Sequence, residues 1–140
     1  MWTSHIMMND AQVREAAKLK ILIVEDDTPI AMMMVFLLAR ADCETEVATT
    51  GKGAIQLAEA GNFDLITMDV DLPEINGFEI CRRLKENPFF QTPIIFISGR
   101  PCAQDVQRGL ELGAVDYIVK PFDALGLASR LISHVKMRQT

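Results

Sequence analysis

The sequence predicts an α/β fold, a single open, doubly wound parallel sheet of five strands with helices on both faces. Three observations predict it. Strand patterns alternate with helical patterns five times between Lys20 and Arg138, as expected of a parallel sheet joined by right-handed crossovers. The strands read as unbroken apolar runs, the pattern of strands covered on both faces. The 140 residues suit one domain with one substantial core and fall far short of an eight-fold barrel.

Taken in order, residues 1–10 (MWTSHIMMND) show no periodicity and read as a tail, with a Ser-His-Ile-Met run that looks like a cloning remnant. Ala11 to Lys18 is helix-prone, so residues 1–17 are set apart as a tail with a possible short helix and the domain is taken as 18–140. Lys20 to Val24 is the first strand. Thr28-Pro29 reads as an N-cap followed by Pro at the first helical position, opening a helix to about Ala41. Glu44 to Ala48 is the second strand, and Gly51 to Ala60 a helix closed by Gly61. Asp64 to Met68 is the third strand. Asn76-Gly77 opens the next helix, which Asn87-Pro88 ends beyond Glu86. Pro93 to Ile97 is the fourth strand, Ala103 to Leu112 the fourth helix stopped by Gly113, and Val115 to Val119 the fifth strand. Asp123 caps a last helix to about Arg138, which leaves no room for an output domain within the chain.

Composition narrows the function. A formal net charge of −5, with basic residues scattered apart from Arg82-Arg83, speaks against a nucleic-acid partner. The most apolar window, Ile30 to Ala39, is too short to span a bilayer, and no charged start with an apolar stretch marks a secretory signal. Cys43, Cys81 and Cys102 lie far apart without CxxC pairing and read as reduced thiols of a cytosolic protein.

The chemistry collects at the strand ends, where open α/β sheets place their sites. Leu65-Ile66-Thr67-Met68 runs into Asp69, with Val70-Asp71-Leu72-Pro73 beyond; Ile21 to Val24 runs into Glu25-Asp26-Asp27. Ile94 to Ile97 runs into Ser98, and Tyr117 to Val119 into Lys120-Pro121. Asp69, Asp26 and a neighbouring acid (Glu25 or Asp27) would crowd several carboxylates together, a hard oxygen set suited to Mg²⁺. Lys120 and Ser98 would complete a cradle for a phosphoryl group arriving at Asp69, where an Asp can act as nucleophile. Each residue alone has an ordinary explanation: a helix N-terminal charge, a turn, a strand exit. Four together, each at a strand end, do not read as coincidence.

The chain resembles the receiver domains of bacterial two-component response regulators over about Lys18 to Arg138. The resemblance rests on Ile23-Val24-Glu25-Asp26-Asp27, Met68-Asp69-Val70-Asp71-Leu72-Pro73, Asn76-Gly77-Phe78-Glu79, Pro93 to Gly99, and Gly113 to Phe122. It implies a flavodoxin-like strand order 2-1-3-4-5. It also implies that Asp69 accepts phosphate from a histidine kinase or histidine phosphotransfer protein, with small phosphodonors possible. Asp26, Asp69 and the backbone carbonyl of Asp71 would ligate Mg²⁺, Glu25 would assist through water, and Ser98 and Lys120 would contact phosphate oxygens. Lys120-Pro121 is a candidate cis peptide. Tyr117 matches the aromatic that swings inward as the hydroxyl residue, Ser98, moves toward the phosphate, switching the surface of the fourth helix, fifth strand and fifth helix. Such a domain catalyses only its own phosphorylation and dephosphorylation; dimerisation through the fourth and fifth helices stays open.

Two positions that tune the phosphate lifetime in this family hold Asp71 and Arg100 here, and the two are expected to pair across the pocket mouth. Asn76 stands where an acid is common and reads as a neutral cap. The first helix has no charge between Pro29 and Ala39. Ile30, Met33, Met34, Leu37 and Leu38 are expected to face the core, leaving Met32, Val35, Phe36 and Ala39 outward or sideways. That outer face, Met32 and Phe36 above all, is either a wider buried stripe, covered by the Ala11–Lys18 segment, or a docking face. Three alternatives are weaker. Asp69-Val70-Asp71 resembles the DxD motif of haloacid dehalogenase-like phosphatases, but Pro73 stands where a Thr or Val is usual and the acidic pair comes first. A pseudo-receiver would not keep Asp26, Asp69, Ser98 and Lys120. A flavin site lacks its Ser/Thr/Gly-rich loop after the first strand.

Overall fold

The computed structural model describes Asn9, residues 18–99 and residues 102–139. The expected tail apart from Asn9, the Ala11–Lys18 helix apart from Lys18, and Arg100 lie outside the described residues. Along the chain run β1 (Lys20–Val24), α1 (Thr28–Arg40), β2 (Glu44–Ala48), α2 (Gly51–Ala60), β3 (Leu65–Asp69), α3 (Gly77–Lys85), β4 (Ile94–Ser98), α4 (Ala103–Glu111), β5 (Asp116–Val119) and α5 (Ala124–Gln139). All pairings are parallel and the strand order is β2-β1-β3-β4-β5.

Alternation of side chains along each strand splits the interior into two layers. Leu22, Val24, Ile66, Met68, Ile94, Phe96 and Tyr117 face α2, α3 and α4. Ile21, Ile23, Leu65, Ile95, Ile97 and Ile118 face Met34 and Leu38 of α1 and Leu127, Leu131 and Val135 of α5. Every residue of β3 and β4 is buried, which is why those strands read as continuous apolar runs. Burying one such side chain is worth about 1.5–3 kcal/mol, and this burial fixes the register on which the site depends.

The helix ends follow from local chemistry. Thr50 accepts from the Gly53 amide at 3.0 Å, and Asn76 from the Glu79 amide at 2.9 Å, so the neutral cap expected of Asn76 is present. Asp123 accepts from the Leu125 amide at 3.1 Å at the start of α5. Two expectations for α1 are corrected. The cap is Asp27, whose Oδ1 accepts from the Ile30 amide at 3.2 Å, and Thr28 is already helical. A carboxylate at the positive end of a helix is favoured over a hydroxyl, and Pro29 costs nothing one position further in, where its missing N–H would be unpaired anyway. Met33, expected in the core, is 40 % exposed, whereas Ala31, Met34 and Leu38 are buried. Those three define a narrow stripe, and the small Ala31 lets α1 settle closely on the sheet.

Candidate functional site

Register brings the site together. Val24 stands opposite Met68, Asp69 opposite Ile97, and Ser98 opposite Val119. The four strands therefore end within two residues of one another in register, and the residues at or just past their ends (Glu25, Asp69, Ser98 and Lys120) meet at one edge of the sheet. Glu25, Asp69 and Ser98 are buried, at 2 %, 5 % and 0 % exposure. Asp26 and Asp71 lie at the exposed mouth.

Carboxylate oxygens of Glu25, Asp26 and Asp69 lie within 4.8 Å of one another. Lys120 reaches in from the end of β5, its Nζ donating to Glu25 Oε1 at 2.6 Å and standing 3.5 Å from Asp69 Oδ2. The Lys120 amide donates to the Ser98 carbonyl at 2.7 Å, which ties the two strand ends together. The Asp71 amide donates to Asp69 Oδ1 at 3.1 Å, and the Asp27 amide to Glu25 Oε2 at 3.2 Å. The Lys120–Pro121 peptide is cis.

Burial pushes the Glu25 carboxyl up to about 7; the Lys120 hydrogen bond works against this, and the neighbouring Asp69 adds to it. For Lys120, burial favours the neutral amine, but the hydrogen bond to Glu25 and the charge of Asp69 outweigh it and raise its pKa. Three carboxylates against one ammonium leave an excess of negative charge in a small volume. Hard oxygen donors so arranged fit a divalent cation such as Mg²⁺.

Tyr117 lies on β5 and Met32 and Phe36 on α1, outside the carboxylate cluster. Tyr117 is 7 % exposed, its ring tilted at 46° and 6.2 Å from Phe96. Met32 and Phe36 are 50 % and 60 % exposed on α1. Arg100, and with it the expected Asp71–Arg100 pair, lies outside the described residues.

Several features were not anticipated. Gly77 donates its amide to the Val70 carbonyl at 2.9 Å, and a Cβ there would collide with the Asp69 carbonyl oxygen. The Asn-Gly pair at 76–77 was the only sign of that close approach. Asp116 at the start of β5 is gripped by Arg130 through two hydrogen bonds of 2.8 and 2.9 Å, and by His134 Nε2 at 2.9 Å. Phe78, Phe96 and Tyr117 form an aromatic row beneath α4, Phe78 meeting Phe96 edge-on at 4.9 Å.

The response regulator receiver domain family matches residues 21–132, and the chain belongs to it. Response regulator ArlR of Staphylococcus saprophyticus is 41 % identical over 112 residues, covering 80 % of this chain and 50 % of that protein. The chain thus spans about half the length of such relatives. Among solved structures, the Francisella response regulator 1452 receiver domain superposes with a TM-score of 0.82 at 29 % identity, covering 86 % of this chain and 99 % of that one. The BeF3-activated N-terminal receiver domain of Klebsiella pneumoniae RstA superposes at 0.78 with 30 % identity, covering 84 % and 98 %. The chain is a receiver domain of the two-component response-regulator class. Among the described residues no helix is long and apolar enough to cross a membrane.

Proposed function

We propose that this receiver domain is a phosphoacceptor switch in which Asp69 receives a phosphoryl group from the phosphohistidine of a kinase or phosphotransfer protein. The observation that carries this reading is a buried Asp69 with Glu25 and Asp26 oxygens within 4.8 Å and the Lys120 ammonium at 3.5 Å. An Asp69 oxygen forms the new bond to phosphorus, the P–N bond to the donor histidine breaks, and its electron pair leaves with the imidazole. Lys120, held in place by Glu25, turns to a phosphoryl oxygen. Ser98, at the neighbouring strand end, donates to another. Mg²⁺, held by Asp26, Asp69 and the Asp71 carbonyl with Glu25 acting through water, would neutralise the phosphoryl oxygens. Small phosphodonors such as acetyl phosphate would enter the same pocket, and water attacking the aspartyl phosphate would reset it.

The switch that follows runs through Ser98 and Tyr117 to the face of α4, β5 and α5. The kinase or phosphotransfer protein docks on α1, whose exposed Met32 and Phe36 form an adaptable apolar surface, with the Arg40 guanidinium 5.6 Å from the Phe36 ring. We place the domain in the cytoplasm, where such donors act.

Intact mass in Mg²⁺ and acetyl phosphate tests the central step. A gain of one phosphoryl group, about 80 Da, lost without Mg²⁺ and in Asp69→Asn, is expected of an acyl phosphate. No adduct and no release of inorganic phosphate would refute it.

A further inference from the structure

We infer that Gly109 is a positioning residue: because it carries no side chain, it admits the inward Tyr117 ring beneath α4 and so sets the balance between inward and outward Tyr117. The consequence for phosphoryl binding at Asp69 rests on the function proposed above; the consequence for the ring does not.

Gly109 is the buried residue of α4. Glycine in mid-helix costs about 1 kcal/mol relative to alanine, and Gly109 is not among the residues with positive φ, so its backbone does not call for glycine. Packing does. A Cβ at 109 would stand 2.9 Å from Phe96 Cδ2, 3.2 Å from Phe96 Cε2 and 3.3 Å from Tyr117 Cδ2. Alanine there forces something to move.

The surroundings decide what moves. Phe96 is fully buried and has Phe78 edge-on at 4.9 Å. Phe78 is itself covered by the Arg108 guanidinium, 4.6 Å above its ring. Phe96 is therefore backed by Phe78 and yields toward Tyr117, 6.2 Å away. Tyr117 ends the row and, at 7 % exposure against 1 % for Phe78 and 0 % for Phe96, is the ring nearest solvent. Arg108 holds α4 down over Phe78 at the very turn where Gly109 meets the rings. With the helix held, a methyl group at 109 pushes Phe96 toward its neighbour Tyr117, 6.2 Å away, and crowds Tyr117 itself at 3.3 Å, so Tyr117 is the ring displaced.

The ring is coupled to the pocket by the sheet. Phe96 and Tyr117 are partners in register, as are Ser98 and Val119. Side chains two apart on a strand share a face, so Ser98 lies one step along from the Phe96–Tyr117 pair, at the edge where Asp69 sits. An outward bias at Tyr117 thus disfavours the arrangement in which Ser98 closes on a phosphoryl group.

The test uses Gly109→Ala in the full chain. Tyr117 is the only tyrosine, so its ring resonances in a ¹³C-tyrosine-labelled sample need no assignment. Gly109→Ala should move them toward the solvent-exposed position and make them more sensitive to a soluble paramagnetic agent. With Mg²⁺, beryllofluoride should bind about tenfold more weakly, the equivalent of a modest overpacking cost. In a Tyr117→Ala background the same substitution should leave beryllofluoride affinity unchanged. Phe96→Leu, which opens space beside position 109, should return the ring to its inward position in Gly109→Ala and guards against a misfolded single variant. Unchanged ring signals in Gly109→Ala, or an equal loss of affinity with and without Tyr117, would overturn the inference. If the unaltered chain binds no beryllofluoride, the phosphoacceptor reading falls, while the ring signals still decide the role of Gly109.

Discussion

Replacing Lys120 by Met should cost far more than the loss of one surface charge. The Lys120 side chain is 17 % exposed, and its partners Glu25 and Asp69 are 2 % and 6 % exposed. Removing the ammonium leaves two buried carboxylates with no cation 2.6 and 3.5 Å away. Breaking a buried pair typically costs about 3–5 kcal/mol; because Lys120 keeps some water, about 3 kcal/mol is expected here. That is a large share of the roughly 5–15 kcal/mol by which domains are stable. Urea unfolding followed by circular dichroism, in EDTA at pH 8, reads it directly. Two further arms isolate the cause. Glu25→Gln added to Lys120→Met removes one orphaned charge and should recover about 2 kcal/mol. Mg²⁺ should recover part of the loss in Lys120→Met alone, since the acidic cluster remains. A cost below about 1 kcal/mol, or a double variant no more stable than the single one, would refute a site held together by this charge balance.

Other consequences are as direct. Burial would raise the Asp116 carboxyl, but the hydrogen bonds from Arg130 and His134 reverse this and hold it at about 2. Its folded pKa lies below the unfolded value of 3.8, so the stabilisation is present above pH 4 and is lost as pH falls toward 2. Arg130→Met should therefore cost about 1 kcal/mol at pH 7, discounted for a half-exposed guanidinium, and the gap from the unaltered chain should close on acidification; a constant gap in urea midpoints would contradict this. Phe36→Glu should slow phosphotransfer from the kinase at least tenfold while leaving the reaction with acetyl phosphate unchanged; loss of both would mean misfolding rather than lost docking. Asp71→Ala or Arg100→Ala should change the lifetime of the phosphorylated protein severalfold, read by mass over time, and equal lifetimes in all three proteins would remove both residues from that role.

What the sequence disclosed tracks how local each signal is. Apolar runs ended by a charge or hydroxyl marked β1, β3, β4 and β5 to within a residue, because burial on both faces leaves little else in those strands. The pocket could be assembled from strand ends because parallel strands bring those ends to one edge of the sheet. Helix α1 was harder to orient. Ile30 to Ala39 is apolar throughout, so no phase of polar residues told Met33 from Ala31. The cap was ambiguous because Asp27 and Thr28 are adjacent and both cap well. Strand ends put Glu25 and Lys120 in one pocket although they are 95 residues apart, whereas the grip of Arg130 and His134 on Asp116 left no trace, because those residues meet only once α5 folds back over β5. The close approach at Gly109 was hidden, and that at Gly77 showed only as an Asn-Gly pair, since a glycine in a helix looks like a weakness until its neighbour in space is known.

The shared strand edge carries a consequence for how the domain breathes. A ligand held at Glu25, Asp69, Ser98 and Lys120 touches four strands at once, so none of the four can open without releasing it. Occupancy should then slow hydrogen exchange in β1, β3, β4 and β5 together, by the same factor, as one cooperative unit. β2 joins that unit only through its pairing with β1. α4 contributes no site residue and buries only Gly109, so its amides should keep exchanging by local opening after the sheet has been locked.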